Sequence, residues 1–274
     1  MKQTSRLDAN APKATLRTTN RALKVMTKRI LRNDNLVLFL KAMKIAIESR
    51  VGKAYDLIFP LLPQIVGSTE PVIFDVGANM GQFASRVARQ FPAGSIYSFE
   101  PVRTNAIGLR RVLRWLMVTN VEISEEAICD VVGVESIHIP NFDGYQDGTL
   151  AVLEGSKHTF SNVTYHVETV RTNTLDAFAA ARDVKRLDFL KVDTEGAEER
   201  VIRGGIGLVS ALLPTLYVEV APDRPWMQLL YGKGYLPFYT DGAALHPPRP
   251  GEWQNDVLLV HRSRMDRLSG LITP

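Results

Sequence analysis

Residues 72–81 read VIFDVGANMG, and this stretch decides the fold that we expect. The run from Val72 to Val76 predicts a buried strand, because four of its five residues are apolar. Gly77 and Gly81 follow at once, and glycine permits turn conformations that a Cβ would forbid. A buried strand, a glycine turn and an amphipathic helix in this order predict the first unit of an α/β sheet covered by helices on both faces.

The same alternation of short apolar runs and amphipathic helices continues along the chain. It predicts a mostly parallel, seven-stranded, Rossmann-like sheet with helices on both faces. Residues 133–170 are rich in Thr, Val, Asp and Gly and predict inserted β-hairpins and loops. We divide the chain into an N-terminal part, residues 1–66, and a main domain, residues 67–274. The predicted strands span residues 72–76, 95–99, 121–128, 187–192, 216–220, 236–240 and 256–261.

Positive charge is concentrated at the start of the chain. The 274 residues carry a net charge of +4, but residues 1–35 hold nine basic and two acidic side chains, or +7. The other 239 residues hold 24 basic and 27 acidic side chains, or −3. Such asymmetry is typical of a tail that meets acidic partners. We therefore expect a basic arm that could contact the inner face of a membrane.

Two helices are predicted between Ala22 and Ile47. The first is basic, and a basic helix near residues 21–32 could lie on anionic lipid. The second is amphipathic, because its apolar residues recur at helical spacing. They are Leu36, Leu40, Met43 and Ile47.

Composition excludes several classes of protein. With 45% hydrophobic and 23% charged residues, the chain has the balance of a globular protein. A single cysteine, Cys129, excludes an intramolecular disulfide framework and a cysteine-rich zinc site. No apolar run reaches the roughly 18 residues that span a bilayer, and no apolar signal core follows the first charges. A cytoplasmic location is therefore expected.

The ends of the first two strands predict a nucleoside site. The loop after Val76 lacks the second and third glycines of G-x-G-x-x-G, so a tight pyrophosphate cradle, and with it a dinucleotide, is disfavoured. Glu100 ends the second strand, 25 residues after Asp75, where an acid can accept hydrogen bonds from ribose hydroxyls. A glycine loop followed by this acid suits a nucleoside that carries no phosphate.

This combination resembles the class I S-adenosylmethionine-dependent methyltransferases. The order of the motifs is more narrowly similar to that of the FkbM family, whose members methylate hydroxyl oxygens. The resemblance covers about residues 70–261, and the K-x-D-x-E-G-x-E segment is its most specific element. The segments that carry it are Phe74–Gly81, Phe99–Pro101, Thr174–Asp176, Leu190–Glu198 and Val218–Val220.

The resemblance implies a set of residues for S-adenosylmethionine. Asp75 and the two loop glycines would line its methionine end, and Asn79 would either contact the same part or hold the turn. The acid after the second strand would bind the ribose, and the two residues at the end of the third strand would flank the adenine. In chain order the set is Asp75, Gly77, Asn79, Gly81, Glu100, Ala127 and Ile128.

Charged residues after the fourth and fifth strands form the candidate catalytic set. Lys191 and Asp193 are two apart in a strand, so their side chains point to one face. Glu195 continues into the next turn, and Glu219 ends the neighbouring strand. Three carboxylates in one small region would repel one another unless a cation lies among them.

Two mechanisms follow from this set. In one, Asp193 and Glu219, with Glu195 as a further candidate, hold Mg²⁺, which lowers the pKa of a bound hydroxyl group. In the other, no metal binds, Lys191 neutralises Asp193, and a carboxylate or a histidine removes the hydroxyl proton. The residues alone leave both open.

The methyl acceptor is expected to be a small molecule or a glycan, with a sugar hydroxyl favoured. One alternative is an RNA methyltransferase whose basic arm follows phosphates. Nucleic acid is disfavoured, because the arm has no interleaved aromatic residues and the rest of the chain is net acidic. Another alternative is a scaffold with this fold that binds at a membrane surface.

Overall fold

The computed structural model describes residues 34–52, 56–142, 145–156, 163–220, 223–249 and 256–273. The helices in this part of the chain are α1 Asp34–Arg50, α2 Leu62–Val66, α3 Gln82–Gln90, α4 Arg103–Trp115, α5 Leu175–Ala181, α6 Glu198–Gly204, α7 Ile206–Leu212, α8 Gln228–Tyr231 and α9 Met265–Leu268. The strands are β1 Val72–Val76, β2 Ser95–Phe99, β3 Val121–Ser124, β4 Ala127–Ile128, β5 Gly133–Phe142, β6 Tyr145–Gln146, β7 Val152–Leu153, β8 Thr164–Asn173, β9 Phe189–Val192, β10 Thr215–Glu219, β11 Tyr235–Thr240, β12 Leu245–His246 and β13 Asp256–His261.

A central sheet with the strand order β12-β11-β13-β10-β9-β1-β2-β3 organises the fold. The five strands from β10 to β3 are mutually parallel, and β13 pairs antiparallel with both β10 and β11. The predicted Rossmann-like, mostly parallel class is therefore confirmed. The sheet has eight strands and not seven, because the two-residue β12 adds to one edge. The chain turns back between β1 and β9, which is where open α/β sheets bind ligands.

Strand β1 lies at the centre of this sheet and is covered on both faces. Phe74 and Val76 belong to the apolar core on one side, and Ile73 belongs to the core on the other. All three side chains are at most 2% exposed. Burial on both faces explains the nearly continuous apolar run that the sequence shows at this position.

The predicted third strand, residues 121–128, was wrong in its extent. Strand β3 ends at Ser124, and Ala127 and Ile128 leave the central sheet to pair with the end of β8. Glu126 lies at the break, where its carboxylate accepts hydrogen bonds from the Ser124 hydroxyl and from Asn173 Nδ2. These polar contacts turn the chain from one sheet into the other.

The region 133–170, expected to form β-hairpins, contains β5 and most of β8. These two long strands pair antiparallel over nine residue pairs, from Gly133 with Thr172 to Asn141 with Thr164. Together with β4, β6 and β7 they form a second sheet. Its apolar face packs on Val102, just after β2, so this sheet lies beside the carboxyl end of the central one.

Helix α1 is the described part of the predicted N-terminal helical region, and the predicted basic helix at residues 21–32 lies outside the described residues. Ala42, Ile45 and Ala46 are buried against α4 and against Met80 of the loop after β1. Helix α2 is buried in the main core through Leu62, Ile65 and Val66. Among the described helices, none combines the length and the apolar character required to cross a bilayer.

Candidate active site

The loop between β1 and α3 has three left-handed positions, with φ of +82° at Gly77, +52° at Asn79 and +88° at Gly81. The N–H groups of Gly77 and Ala78 donate to the Phe99 carbonyl oxygen at 3.1 and 3.0 Å. This loop is therefore fastened to the end of β2. A Cβ on residue 77 would lie 1.8 Å from the Asp193 carbonyl oxygen, so the glycine also permits main-chain contact with the end of β9.

Asn79 shapes the loop from within. Its side-chain Oδ1 accepts the N–H of Met80 at 2.8 Å, and its own N–H donates to Glu100 Oε2 at 2.7 Å. Of the two roles foreseen for Asn79, the contacts show the one that holds the turn; contact with a cofactor stays a prediction. At Gly81, a Cβ would lie 2.4 Å from the side chain of Leu109, so α4 packs closely on the start of α3.

Glu100 joins the end of β2 to this loop. Besides the Asn79 N–H, its carboxylate accepts the N–H of Val102 at 2.9 Å and the Asn105 side chain at 3.3 Å. Burial raises the pKa of Glu100 to about 7, and these hydrogen bonds oppose the rise. Its predicted role as the ribose ligand stays a prediction, since in this structure its acceptor oxygens are engaged by the protein.

Ala127 and Ile128 are brought to the edge of the second sheet. Their side chains are only 5% and 3% exposed and lie in apolar clusters. Ala127 shares its cluster with Val102, two residues after Glu100. The pair is therefore near the end of β2, and its predicted contact with adenine stays a prediction.

Lys191 is a buried cation between two carboxylates. It pairs with Asp75 in the β1–β9 register, and its Nζ lies 3.8 Å from Asp75 Oδ1 and 2.8 Å from Asp193 Oδ2. Asp75 is fully buried, and this burial raises its pKa to about 6, although the Lys191 ammonium lowers it. The countercharge expected from the sequence is thus in place beside Asp193.

Glu219 and Asp193 meet at the ends of β10 and β9. The pKa of Glu219 is raised to about 9. Burial is the largest cause, followed by a hydrogen bond to Asp193 and by the negative charges of Asp193, Glu195 and Asp256. Near neutral pH, Glu219 therefore keeps its proton. The Lys191 ammonium and the raised pKa of Glu219 both lessen the repulsion among these acids.

The metal hypothesis gains no support from the donor geometry. Within the residues that the structure describes, no three Asp, Glu, His or Cys side chains are grouped so that they could hold a metal ion. Asp193 and Glu219, the proposed Mg²⁺ ligands, are joined by a hydrogen bond instead.

Glu198 sets the turn that carries Glu195. Its Oε1 accepts the N–H groups of Thr194 and Gly196 at 3.0 and 2.9 Å and the Thr194 hydroxyl at 3.0 Å. Glu195 within this turn has a left-handed φ of +54°. Glu198 therefore holds the turn after Asp193.

Tyr217 is a neighbour of the site that sequence reasoning missed. It is paired with Lys191 in the β9–β10 register, and its hydroxyl donates to Asp56 Oδ1 at 2.8 Å. Burial, followed by the charges of nearby carboxylates that include Asp193, raises its pKa far above the ordinary value. The alternation of side chains along β10 was the available signal, since Tyr217 and Glu219 point to the same face.

Arg200 connects α6 to the second sheet. Its guanidinium forms ion pairs with Asp130 at 2.8 Å and Glu135 at 2.6 Å. An open cavity of about 350 Å³ lies there, lined by Arg200, Glu135, Glu154 and Gly155. None of the residues predicted for the cofactor or for catalysis lines it.

Comparison with known proteins identifies the family. Residues 75–237, more than half of the chain, match the model of the methyltransferase FkbM domain. The chain belongs to the FkbM methyltransferase family. The matched segment includes every predicted site residue of this FkbM methyltransferase.

One curated relative of this FkbM methyltransferase is the 2-O-methyltransferase NoeI of Sinorhizobium fredii (strain NBRC 101917 / NGR234), with 31% identity over 144 residues. The match covers 50% of this chain and 58% of NoeI, so it spans little more than half of that relative.

Two similar solved structures are a methyltransferase FkbM from Methylobacillus flagellatus KT and a methyltransferase from Geobacter sulfurreducens. The first is 18% identical, with a TM-score of 0.43, and covers 70% of this chain and 44% of its own. The second is 13% identical, with a TM-score of 0.41, and the match covers 81% of this chain and 87% of the second structure's chain. Similarity at this level carries no argument about the substrate.

Proposed function

We propose that this FkbM methyltransferase transfers a methyl group from S-adenosylmethionine to a hydroxyl oxygen of a small molecule or glycan, with a sugar hydroxyl favoured. The observation that supports this proposal most directly is the position of Asp193. Its side chain is 39% exposed, it is flanked by the Lys191 ammonium and the Glu219 carboxyl group, and its main chain contacts Gly77 of the predicted cofactor loop. A carboxyl group that is open to solvent thus lies next to the place proposed for the methyl donor.

The residues of the first loop fit this cofactor. Asp75 is a buried acid at the end of β1, the loop after it contains three left-handed positions, and Glu100 ends the next strand. When bound, S-adenosylmethionine supplies an electrophilic methyl group on a sulfonium centre. Asp75, Gly77 and Gly81 would hold its methionine end, and Glu100 would hold its ribose.

In the proposed mechanism, Asp193 orients the acceptor hydroxyl group and accepts its proton. A weak base suffices, because the acidity of the hydroxyl rises steeply as its oxygen forms the new C–O bond. Lys191 Nζ donates a hydrogen bond to Asp193 Oδ2 at 2.8 Å and so orients this carboxylate. Glu219 holds its own proton near neutral pH and is hydrogen-bonded to Asp193. Positioning of the two reactants supplies much of the remaining acceleration.

The 31% identity to a 2-O-methyltransferase supports transfer to oxygen. This support comes from the aligned 144 residues, which are 50% of this chain and 58% of the relative. The oxygen-rich, charged surroundings of Asp193 favour a polar acceptor such as a sugar. A screen of hydroxylated acceptors with a methyl-labelled donor would identify the class. Chelation followed by addition of Mg²⁺ in the same assay tests the metal alternative, which requires loss and recovery of turnover.

Replacing Asp193 tests the proposed chemistry. Asp193→Asn should lower turnover by about 10²–10⁴-fold, because the base is lost, while affinity for S-adenosylmethionine measured by calorimetry stays within a few-fold. Asp183→Asn, at an exposed position outside the predicted site, is the control. If Asp193→Asn abolished cofactor binding, Asp193 would be structural. If the unmodified protein bound no S-adenosylmethionine, or Asp75→Ala left binding unchanged, the proposed function would be wrong.

A further inference from the structure

One face of α1 is apolar and exposed to solvent. Its side chains follow one another at helical spacing, so they form one continuous surface. Exposed apolar surface of this kind marks interaction sites in proteins that otherwise keep such groups inside. We call this surface the α1 stripe, and its members, with their exposed fractions, are Leu36 (38%), Phe39 (42%), Leu40 (37%), Met43 (39%) and Ile47 (52%).

The α1 stripe is a different face of the helix from the one that packs into the protein. The opposite face of α1 is already buried, with Ala42 fully covered and Ile45 and Ala46 at most 8% exposed. Phe39, at the margin of the stripe, packs edge-to-face on Trp115 with 5.2 Å between ring centroids. Helix α1 is therefore apolar on two sides, and one of them is buried against the other described elements.

Basic side chains surround the stripe. Lys44 and Arg50 are exposed on α1 itself, and Arg114 is exposed on α4, one residue before the ring that Phe39 contacts. Helix α4 carries four arginines and no acidic residue. The first 35 residues add a net charge of +7 and lead directly into α1. The acids of α1 are Asp34, its first residue, and Glu48, which faces Lys44 at 4.0 Å.

We propose that the α1 stripe and its basic surroundings form a docking surface for an anionic membrane, with α1 lying parallel to the lipid surface. Apolar side chains that enter the boundary of the acyl chains, together with lysine and arginine at the headgroups, are the features of helices that lie on membranes. A second copy of the chain is a poorer occupant, because symmetric pairing of the stripe would bring two arms of charge +7 together. This surface is independent of the proposed methyl transfer.

Flotation of the full-length protein with lipid vesicles tests the proposal. Vesicles with about 30 mol % phosphatidylglycerol in phosphatidylcholine should bind the protein, and vesicles of phosphatidylcholine alone should bind it far less. The triple variant Phe39→Ser, Met43→Ser, Ile47→Ser should lower partitioning by about tenfold or more. The matched control Val132→Ser, Val134→Ser, Val167→Ser removes three valines that are 67%, 64% and 50% exposed elsewhere, and it should bind as the unmodified protein does.

A probe that does not depend on the triple variant keeps the test decisive. Cys129 is the single cysteine and is buried, so a fluorescent label can be directed to Met43→Cys or, as control, to Val132→Cys. Spin-labelled lipid should quench the label at position 43 and not at position 132. Absence of binding to anionic vesicles, equal binding by both triple variants, or equal quenching at both positions would overturn the proposal. So would sedimentation showing that the stripe joins two copies of the chain in solution.

Discussion

Gly77 lies so close to Asp193 that a Cβ on residue 77 would be 1.8 Å from the Asp193 carbonyl oxygen. The N–H of Asp193 also donates to the carbonyl oxygen of Val76 at 3.0 Å. The main chains of the predicted cofactor loop and of the predicted base are therefore in direct contact. Because this contact involves backbone atoms, no side-chain rotation can relieve a clash there.

Gly77→Ala should destabilise the protein by at least about 3 kcal/mol, because it combines a left-handed φ with a backbone clash. Gly155→Ala is the matched control, since Gly155 has a similar φ of +79° and nothing within 4 Å of the added Cβ. That control should cost only about 1–2 kcal/mol. Urea unfolding gives both values, and equal losses would show that the Asp193 contact imposes no constraint.

Glu219→Gln should flatten the dependence of stability on pH. The pKa of Glu219 is raised to about 9, so between the ordinary value of 4.5 and 9 the folded state holds a proton that the unfolded state has released. The free energy of unfolding of the unmodified protein must therefore fall as pH rises through this window. Urea unfolding at about pH 6 and about pH 9 should show a smaller fall in the variant. Equal falls would mean that Glu219 is ionised in the folded protein.

Lys191→Met should destabilise the protein by about 3–5 kcal/mol above pH 6, because it leaves the buried Asp75 carboxylate without its cation. The double variant Lys191→Met, Asp75→Asn should recover a large part of that loss, since the uncompensated charge is gone. A double-mutant cycle of unfolding free energies measures the coupling. Additive losses would contradict a direct Lys191–Asp75 interaction.

Glu198→Ala should loosen the turn after Asp193. Its loss leaves the N–H groups of Thr194 and Gly196 without their acceptor and should cost about 2 kcal/mol. Glu199→Ala removes an exposed ion pair with Arg203 from the same helix turn and should cost less than about 1 kcal/mol. We expect turnover to fall for Glu198→Ala alone while cofactor affinity, measured by calorimetry, is kept. A loss of affinity in place of turnover would assign Glu198 to the cofactor loop.

The centre of the fold was predictable because a strand that is buried on both faces has a nearly continuous run of apolar residues in its sequence. Strand β1 reads as an almost continuous apolar run, and the glycine turn after it marks the edge where the site residues lie. Asp193 and Lys191 could be placed together for a local reason, since side chains two apart in a strand share a face.

The parts that escaped prediction depend on contacts between distant residues. Ala127 and Ile128 continue the apolar pattern of β3, and only their pairing with β8, more than 40 residues away, shows that they leave the sheet. The two-residue strand β12 is too short to produce a periodic pattern. The raised pKa of Glu219 depends on its burial and on its nearness to Asp193, which the sequence does not encode locally.

Met80 links the start of the chain to the loop after β1. This side chain is 3% exposed, and it is buried against Ala42, Ile45 and Ala46 of α1, a helix that precedes the segment matched by the family model. A substitution on the inner face of α1 therefore changes the packing of Met80, which directly precedes Gly81. Helix α1 and the loop after β1 share one buried cluster, so sequence changes on the buried face of α1 are limited by the need to keep the shape of that loop.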